Sequence, residues 1–176
     1  MNAAQGATAP PAPATPDPLP PALLRAALGR YTTGVTIIAC VAPDGRRFGL
    51  TANSFNALSL DPPLVLWSLR KTSPSLPPFQ AAPHFSVNVL AEAQVELSHL
   101  FASKAEDRFV QGLWSSGQHG SPVLAGCPAV FECETVSQQP AGDHVLFIGR
   151  VLAASEAPIA PLVFQSGHYH LLGEVL

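Results

Sequence analysis

The stretch TANSFNALSLDPPLVLWSL, from Thr51 to Leu69, predicts the fold of this chain most directly. It begins with a cluster of small residues, Thr51 to Ser54, and most of them can form hydrogen bonds through their side chains. After the break at Asp61 to Pro63, LVLWSL has the apolar pattern of a core strand. A turn needs only one or two small polar residues, so the cluster at the mouth of a strand indicates a surface that holds a ligand.

Composition limits the classes of function. The 176 residues suit one domain with a sizeable core, and 47% of them are hydrophobic while only 12% are charged. So few charges predict that a ligand or another subunit covers part of the surface. The net charge of −3, without a basic run, argues against a nucleic-acid partner. No apolar run reaches the roughly 20 residues that cross a bilayer, so we expect no membrane association.

The first 18 residues differ in composition from the rest. They form an Ala/Pro tract that cannot make regular hydrogen-bonded structure, so we expect a disordered tail over 1–18 and one domain over 19–176. The tract lacks the basic and apolar regions of an export signal. Cys40, Cys127 and Cys133 show no metal-binding spacing, and their odd number fits reduced thiols in a cytoplasmic protein.

Strand patterns outnumber helix patterns along the domain. PPALLRAALGRY reads as a short helix on which Leu23, Leu24, Ala27 and Leu28 share a face. A second helix, EAQVELSHLFA, is expected to turn Ala93, Leu97, Leu100 and Phe101 inward. Runs such as GVTIIACVA, HFSVNVL, AVFECETVSQQ and HVLFIGRVLAAS read as strands, and 106–126 reads as mostly irregular. This mainly β pattern favours a barrel or a sandwich.

Several common sites have no sequence signal. There is no GxGxxG after a strand, no Walker A sequence, no GxSxG and no HExxH. His168 and His170 would point to one face of a strand, but no third ligand accompanies them, so we expect no metal site.

Three separated segments carry groups that suit a phosphate and the polar edge of a heterocycle. They are Thr51–Ser54, the run from Ser68 to Ser75, and AGDHVLFIGRV with His144 at its start. Arg70 or Lys71 would add charge-assisted bonds to a phosphate. Spacing alone favours a turn for the first segment and a solvated loop for the second, because Ser- and Pro-rich loops are common.

The order of five segments resolves this choice by resemblance. RAALGRYTTGVTIIA, GLTANSFNALSLDPPLVLWSL, FSVNVLAEAQVELSHLFASKAEDRF, GSPVL and GDHVLFIGRV resemble, in order and spacing, the short-chain flavin reductases. These are the reductase components of two-component flavin-dependent monooxygenases, and the resemblance runs from Leu24 to the C-terminus. It implies the FMN-binding split barrel, a six-stranded Greek-key barrel with flanking short helices that is usually a homodimer.

The resemblance also implies which residues bind the cofactors. The isoalloxazine ring and ribityl chain would face Arg47, Phe48, Gly49, Leu50, Thr51, Ala52, Asn53 and Ser54. The ribityl-phosphate would lie along Ser68, Leu69 and Arg70, and Ser75 would reach the phosphate. Leu100 and Phe101 would close the pocket or only pack the helix on the barrel, and Asn88 would be a ligand or a structural residue. The nicotinamide side would meet His144, His168 and Tyr169.

The implied reaction transfers a hydride from NADH or NADPH to FMN or FAD, with the cofactors carrying the chemistry. Backbone N–H groups near Asn53 and Ser54 would stabilise charge that develops on the flavin. His144 would be the catalytic residue, mainly by orienting the nicotinamide. Reduced flavin would then pass to a monooxygenase component. Other flavoproteins remain open: one with fixed FMN, one that reduces ferric iron or a corrinoid, and a binder without turnover.

Overall fold

The computed structural model describes residues 19–174, and the predicted tail over 1–18 lies outside them. This part contains three α-helices, α1 (Pro21–Gly29), α2 (Leu76–Ala81) and α3 (Val95–Ala102). Two 3₁₀ turns span Glu92–Gln94 and Arg108–Val110. No helix within 19–174 is long and apolar enough to cross a membrane.

Strands hold 47% of the residues and helices 19%, so the prediction of a mainly β protein is confirmed. In chain order they are β1 (Thr33–Gly34), β2 (Thr36–Val41), β3 (Arg47–Ala52), β4 (Asn56–Leu60), β5 (Pro63–Arg70), β6 (His84–Val89), β7 (Trp114–Ser116), β8 (Pro122–Leu124), β9 (Ala129–Ala141), β10 (His144–Glu156), β11 (Val163–Gln165) and β12 (His168–His170). The main sheet has seven strands in the order β3-β2-β6-β9-β10-β5-β4, where six strands were expected. The short strands form two further sheets, β1-β11-β12 and β7-β8. The β7-β8 pair lies in the segment that was expected to be mostly irregular.

The main sheet is strongly curved. Its two edge strands, β3 and β4, would lie about 29 Å apart in a flat sheet with neighbours about 4.8 Å apart. Only residues 53–55 join them, a link that spans about 14 Å at most. The two ends of the sheet are therefore brought together.

Ser54, within that link, connects the two ends through hydrogen bonds. Its hydroxyl accepts a bond from the Ser68 N–H (3.0 Å) and donates one to the Ser68 carbonyl (3.1 Å). β4 pairs with β5 only as far as Leu66, so the Ser54 hydroxyl takes the place that a strand would have beside Ser68. One side chain thus satisfies two backbone groups of β5 that β4 does not reach.

The curved sheet encloses an aromatic core. Trp67 of β5 stacks on Phe147 of β10 with ring centroids 4.5 Å apart, and the Phe79 ring of α2 meets Trp67 edge-on at 5.0 Å. Phe85 of β6 lies 5.9 Å from Trp67, although two strands separate β6 from β5 in the sheet. Large aromatic rings that pack at such distances supply much of the burial energy of a small domain.

A second core lies under α3. Phe101, Ile37, Leu90 and Leu124 are buried there, and Leu97 and Leu100 are partly buried against them. The expected inward face was wrong for Ala93, which is exposed. Ala93 belongs to the 3₁₀ turn before α3, whose tighter winding changes which side chains face inward, and Ser98 is buried instead.

We expect Ser54→Ala to lower the free energy of unfolding by about 1–2 kcal/mol, because the N–H and carbonyl of Ser68 lose their partner. Chemical denaturation measures this change. Ser155→Ala, which removes an exposed hydroxyl from β10, is the control and should change stability by less than about 0.5 kcal/mol. Equal stabilities for the two variants would contradict the bridging role of Ser54.

Gly49→Ala tests the contact between β3 and α3. A Cβ at Gly49 would lie 2.7 Å from Cε1 of Phe101, so α3 or the ring would have to shift. We expect a loss of about 1–3 kcal/mol in the free energy of unfolding. Gly34→Ala is the matched control, since a Cβ at Gly34 in β1 meets nothing within 4 Å. A Gly49 variant as stable as the Gly34 variant would show that α3 does not pack tightly on β3.

Candidate functional site

A cavity of about 1020 Å³ opens between α1, the junction of the sheet ends and the β11–β12 hairpin. Two residues that were predicted to bind the flavin, Asn53 and Arg70, line it together. The remaining lining residues come from α1 and the hairpin: Ala22, Arg25, Ala26, Leu28, Gly29, Arg30, Phe164, Ser166 and Gly167.

The curvature of the sheet explains why Asn53 and Arg70 meet. Asn53 directly follows β3 and precedes Ser54, while Arg70 ends β5 two residues after Ser68. The Ser54–Ser68 bonds therefore bring the end of β3 beside the end of β5. Both side chains are exposed and remain available to a ligand.

The β11–β12 hairpin fixes α1 at the other wall. The Ser166 N–H and hydroxyl both donate to the Gly29 carbonyl, at 2.8 Å and 3.1 Å. Gln165 donates from Nε2 to the Arg30 carbonyl and to the Thr32 hydroxyl. Ser166 has a φ of 50°, and Gly167 follows it with a φ of 84°, so the tight turn places its backbone against the end of α1.

His144 lies next to this cavity. It pairs with Arg70 across β10 and β5, and its Nδ1 lies 2.7 Å from a carboxylate oxygen of Asp143. The hydrogen bond to His144 and the charge of its ring lower the pKa of the exposed Asp143 carboxyl, with a smaller effect from Arg70. The Asp143 carbonyl accepts a bond from the Lys71 N–H, which holds the turn beside the end of β5. The Asp143 carboxylate thus orients the His144 ring.

Thr51 and Tyr169 are engaged in bonds within the protein. The Thr51 hydroxyl donates to the Ser98 carbonyl at 2.7 Å, and the Ser98 hydroxyl lies 2.8 Å from the Tyr169 hydroxyl. The His99 ring meets Tyr169 edge-on at 5.0 Å. This chain of contacts joins β3, α3 and β12. His168 is exposed, and its Nδ1 lies 3.0 Å from the Ser166 carbonyl at the cavity wall.

The first half of β3 lies away from Asn53. Arg47 is exposed at the start of the strand, while Phe48 and Leu50 pack against the aromatic core. Gly49 lies under Phe101, and its carbonyl accepts a bond from the Arg108 guanidinium at 3.0 Å. None of these residues lines the 1020 Å³ cavity.

The other predicted residues have these positions. Ala52 and Leu69 are buried in the aromatic core, and Ser75 is half-buried just before α2. Phe101 is 1% exposed and packs against Phe109 and Trp114, as in the packing alternative.

Asn88 is fully buried and bonded on both sides of its amide. Nδ2 donates to the Ile37 carbonyl and the Ser86 hydroxyl, while Oδ1 accepts from the Leu124 N–H. With both amide donors and its oxygen bonded inside the protein, Asn88 fits the structural alternative.

The cysteine thiols and the possible metal ligands form no further reactive site among the described residues. Burial raises the pKa of the Cys40, Cys127 and Cys133 thiols to about 12, so these free cysteines are protonated at neutral pH. Within residues 19–174 no three His, Cys, Asp or Glu side chains come together as a metal site would require.

Sequence reasoning missed Arg25, Arg30 and Ser166 as cavity residues. α1 was predicted only as a short helix with an apolar face. No local pattern could reveal the contact, because Gly29 and Ser166 are 137 positions apart.

Similar proteins carry the same fold. Residues 28–173 match the family model of the flavin reductase like domain. The FMN reductase (NADH) SmoA of Agrobacterium fabrum is 42% identical over 82% of this chain and 82% of its own length. A solved structure of the Streptomyces globisporus NADH:FAD oxidoreductase SgcE6, in complex with NAD and FAD fragments, is 33% identical over 86% of this chain and 92% of that chain, with a TM-score of 0.82.

Some relatives are longer. The reductase component of the flavin-dependent trigonelline monooxygenase of Acinetobacter baylyi is 42% identical over 83% of this chain, but only 47% of its own length is matched. The chain thus spans about half the length of this curated relative. The match over 28–173 nevertheless confirms the resemblance in the five sequence segments, and the chain belongs to the flavin reductase like domain family.

Proposed function

We propose that the chain is an NAD(P)H:flavin oxidoreductase that reduces FMN or FAD and supplies the reduced flavin to a partner monooxygenase component. The observation that carries the proposal is the joint placement of Asn53 and Arg70 in one cavity, with His144 beside Arg70. The related SmoA is an FMN reductase that uses NADH, and other relatives are reductase components of monooxygenases, which supports this activity.

The residues present fit a flavin phosphate and its polar chain. Asn53 can donate and accept hydrogen bonds, Arg70 can bind a phosphate in a bidentate manner, and the cavity lining within 19–174 contains no carboxylate. The bound flavin would supply the acceptor for the hydride of NAD(P)H. The chain would bind the ligands, hold them in a fixed orientation and limit the access of water.

His144 would position the nicotinamide. Its Nδ1 is held by Asp143, which leaves Nε2 as the ring nitrogen available to a ligand. Since Arg70 lies across from it in the neighbouring strand, one ligand at this junction could meet both side chains.

The curved sheet and the free cysteines support two further parts of the proposal, the barrel fold and the cytoplasmic location. The curved seven-stranded sheet would correspond to the split barrel of the family, with β4 as an addition at its edge. The buried free cysteines fit a protein of the reducing cytoplasm.

NADH and NADPH oxidation with FMN, FAD or riboflavin tests the activity. We expect oxidation that depends on added flavin. A yellow protein without turnover would instead indicate a flavin-binding protein, and oxidation that needs ferric iron or a corrinoid would identify another acceptor.

We expect His144→Ala to raise the apparent KM for NAD(P)H by about fivefold, the effect of losing about one hydrogen bond, and to change flavin affinity less. Steady-state kinetics and flavin titration measure the two quantities. His170→Ala removes an exposed imidazole from β12 and should leave both unchanged. Unchanged NAD(P)H kinetics in a folded His144 variant would refute the positioning role.

A homodimer is the second part of the proposal. α1 has no buried residue, and Leu23 and Leu24 are 58% and 44% exposed. An apolar helix face open to water on a chain with few charges supports coverage by a second copy.

We expect sedimentation of a dimer, and Leu24→Glu should weaken the dimer by about tenfold or more because it places a charge in the apolar contact. Leu60→Glu, at the exposed β4–β5 turn, is the control. A monomeric wild type, or a dimer unaffected by Leu24→Glu, would contradict the assignment of α1 to the interface.

A further inference from the structure

Three arginines line the 1020 Å³ cavity, and two of them have no assigned role. Arg25 and Arg30 belong to α1 and its C-terminal end, while Arg70 ends β5. All three are exposed, and none forms an ion pair with a carboxylate within residues 19–174. The nearest acidic influence on Arg70 is Asp143, whose carboxylate is already bonded to His144.

Three positive charges around one cavity are unfavourable unless an anion compensates them. Guanidinium groups around a cavity repel one another, and the cost falls when an anion binds between them. Among residues 19–174, no Asp or Glu lines this cavity. Arginine also has the fork of donors that suits phosphate oxygens.

Hydrogen bonds to the backbone hold the C-terminal end of α1, which carries Arg30, beside the cavity. The Ser166 hydroxyl and N–H bind the Gly29 carbonyl, and Gln165 binds the Arg30 carbonyl. The end of α1 is therefore attached to the β11–β12 hairpin, so its arginines lie at a defined wall facing Arg70 and Asn53.

We propose that Arg25 and Arg30 form, with Arg70, a site for the diphosphate group of a dinucleotide ligand. This inference rests on the proposed function, and it adds that the cavity selects ligands that carry a diphosphate group. A diphosphate carries two charged groups, so it suits a cavity lined by several arginines better than a single phosphate does. The diphosphate can come from FAD or from the nicotinamide dinucleotide, and the two sources are separated by experiment.

Calorimetric titration of the full chain with inorganic pyrophosphate, at low ionic strength, tests the site without turnover. We expect pyrophosphate to bind more tightly than inorganic phosphate. The Arg25→Gln/Arg30→Gln double variant should bind pyrophosphate about tenfold or more weakly, because charge-assisted hydrogen bonds are lost. Circular dichroism checks that the variant is folded.

A second double variant controls for net charge. Arg46→Gln/Arg150→Gln also removes two positive charges, but neither arginine lines the cavity. Arg46 pairs with Asp44, and Arg150 lies near Glu134. Its pyrophosphate affinity should stay within about twofold of wild type. An equal loss of pyrophosphate affinity in both double variants would show that only net charge matters and would overturn the proposal. Wild-type protein that binds no pyrophosphate would overturn it as well.

Titrations with FAD, FMN and the oxidised nicotinamide dinucleotide identify the source. Weaker binding of FAD but not of FMN in the α1 double variant assigns the site to the flavin diphosphate. Weaker binding of the nicotinamide dinucleotide alone assigns it to the hydride donor. An equal loss for FMN and FAD would overturn the diphosphate class.

The failure of this inference is distinguishable from failure of the proposed function. Wild-type protein that binds pyrophosphate through α1 but shows no flavin-dependent NADH or NADPH oxidation would keep the anion site and refute the reductase. Flavin-dependent oxidation with unchanged pyrophosphate binding in the α1 variant would keep the reductase and refute the anion site.

Discussion

The two bonds between the Ser54 hydroxyl and the backbone of Ser68 close the distance between the ends of a seven-stranded sheet. Without a partner at that point, β5 would leave an N–H and a carbonyl unpaired beyond the reach of β4. A single hydroxyl suffices because it can donate and accept at once. The short link over 53–55 brings the sheet ends together, the Ser54 hydroxyl holds them there, and the position of the cavity depends on this junction.

The closure also creates the site. Asn53 and Arg70 come from strands at opposite ends of the sheet order, and the junction makes them neighbours. The β11–β12 hairpin then adds α1 as the facing wall through bonds to Gly29 and Arg30. The charged side chains of the site are flexible, but hydrogen bonds hold the backbone that carries them. Such a backbone suits a site that orients two ligands.

Local sequence patterns predicted the strand-rich domain and the long strands β9 and β10, because runs of β-branched and apolar residues reflect local burial. They failed where local winding or distant contacts decide. The 3₁₀ turn at Glu92–Gln94 exposed Ala93 and left Ser98 to be buried, and the β7–β8 pair formed in a segment without clear alternation. The quoted stretch did indicate a ligand surface, yet most of the cavity wall comes from α1 and a hairpin whose meeting no local motif encodes.

α1 carries two kinds of surface on one short helix. Leu23 and Leu24 are exposed outside the cavity, while Arg25 and Arg30 line it. When a second copy covers the leucines, the energy of assembly and the energy of ligand binding are linked through the same element, and each must change the other by an equal amount. The affinity of the protein for its anionic ligand would then rise or fall with protein concentration, so that dilution itself acts as a modulator of the site.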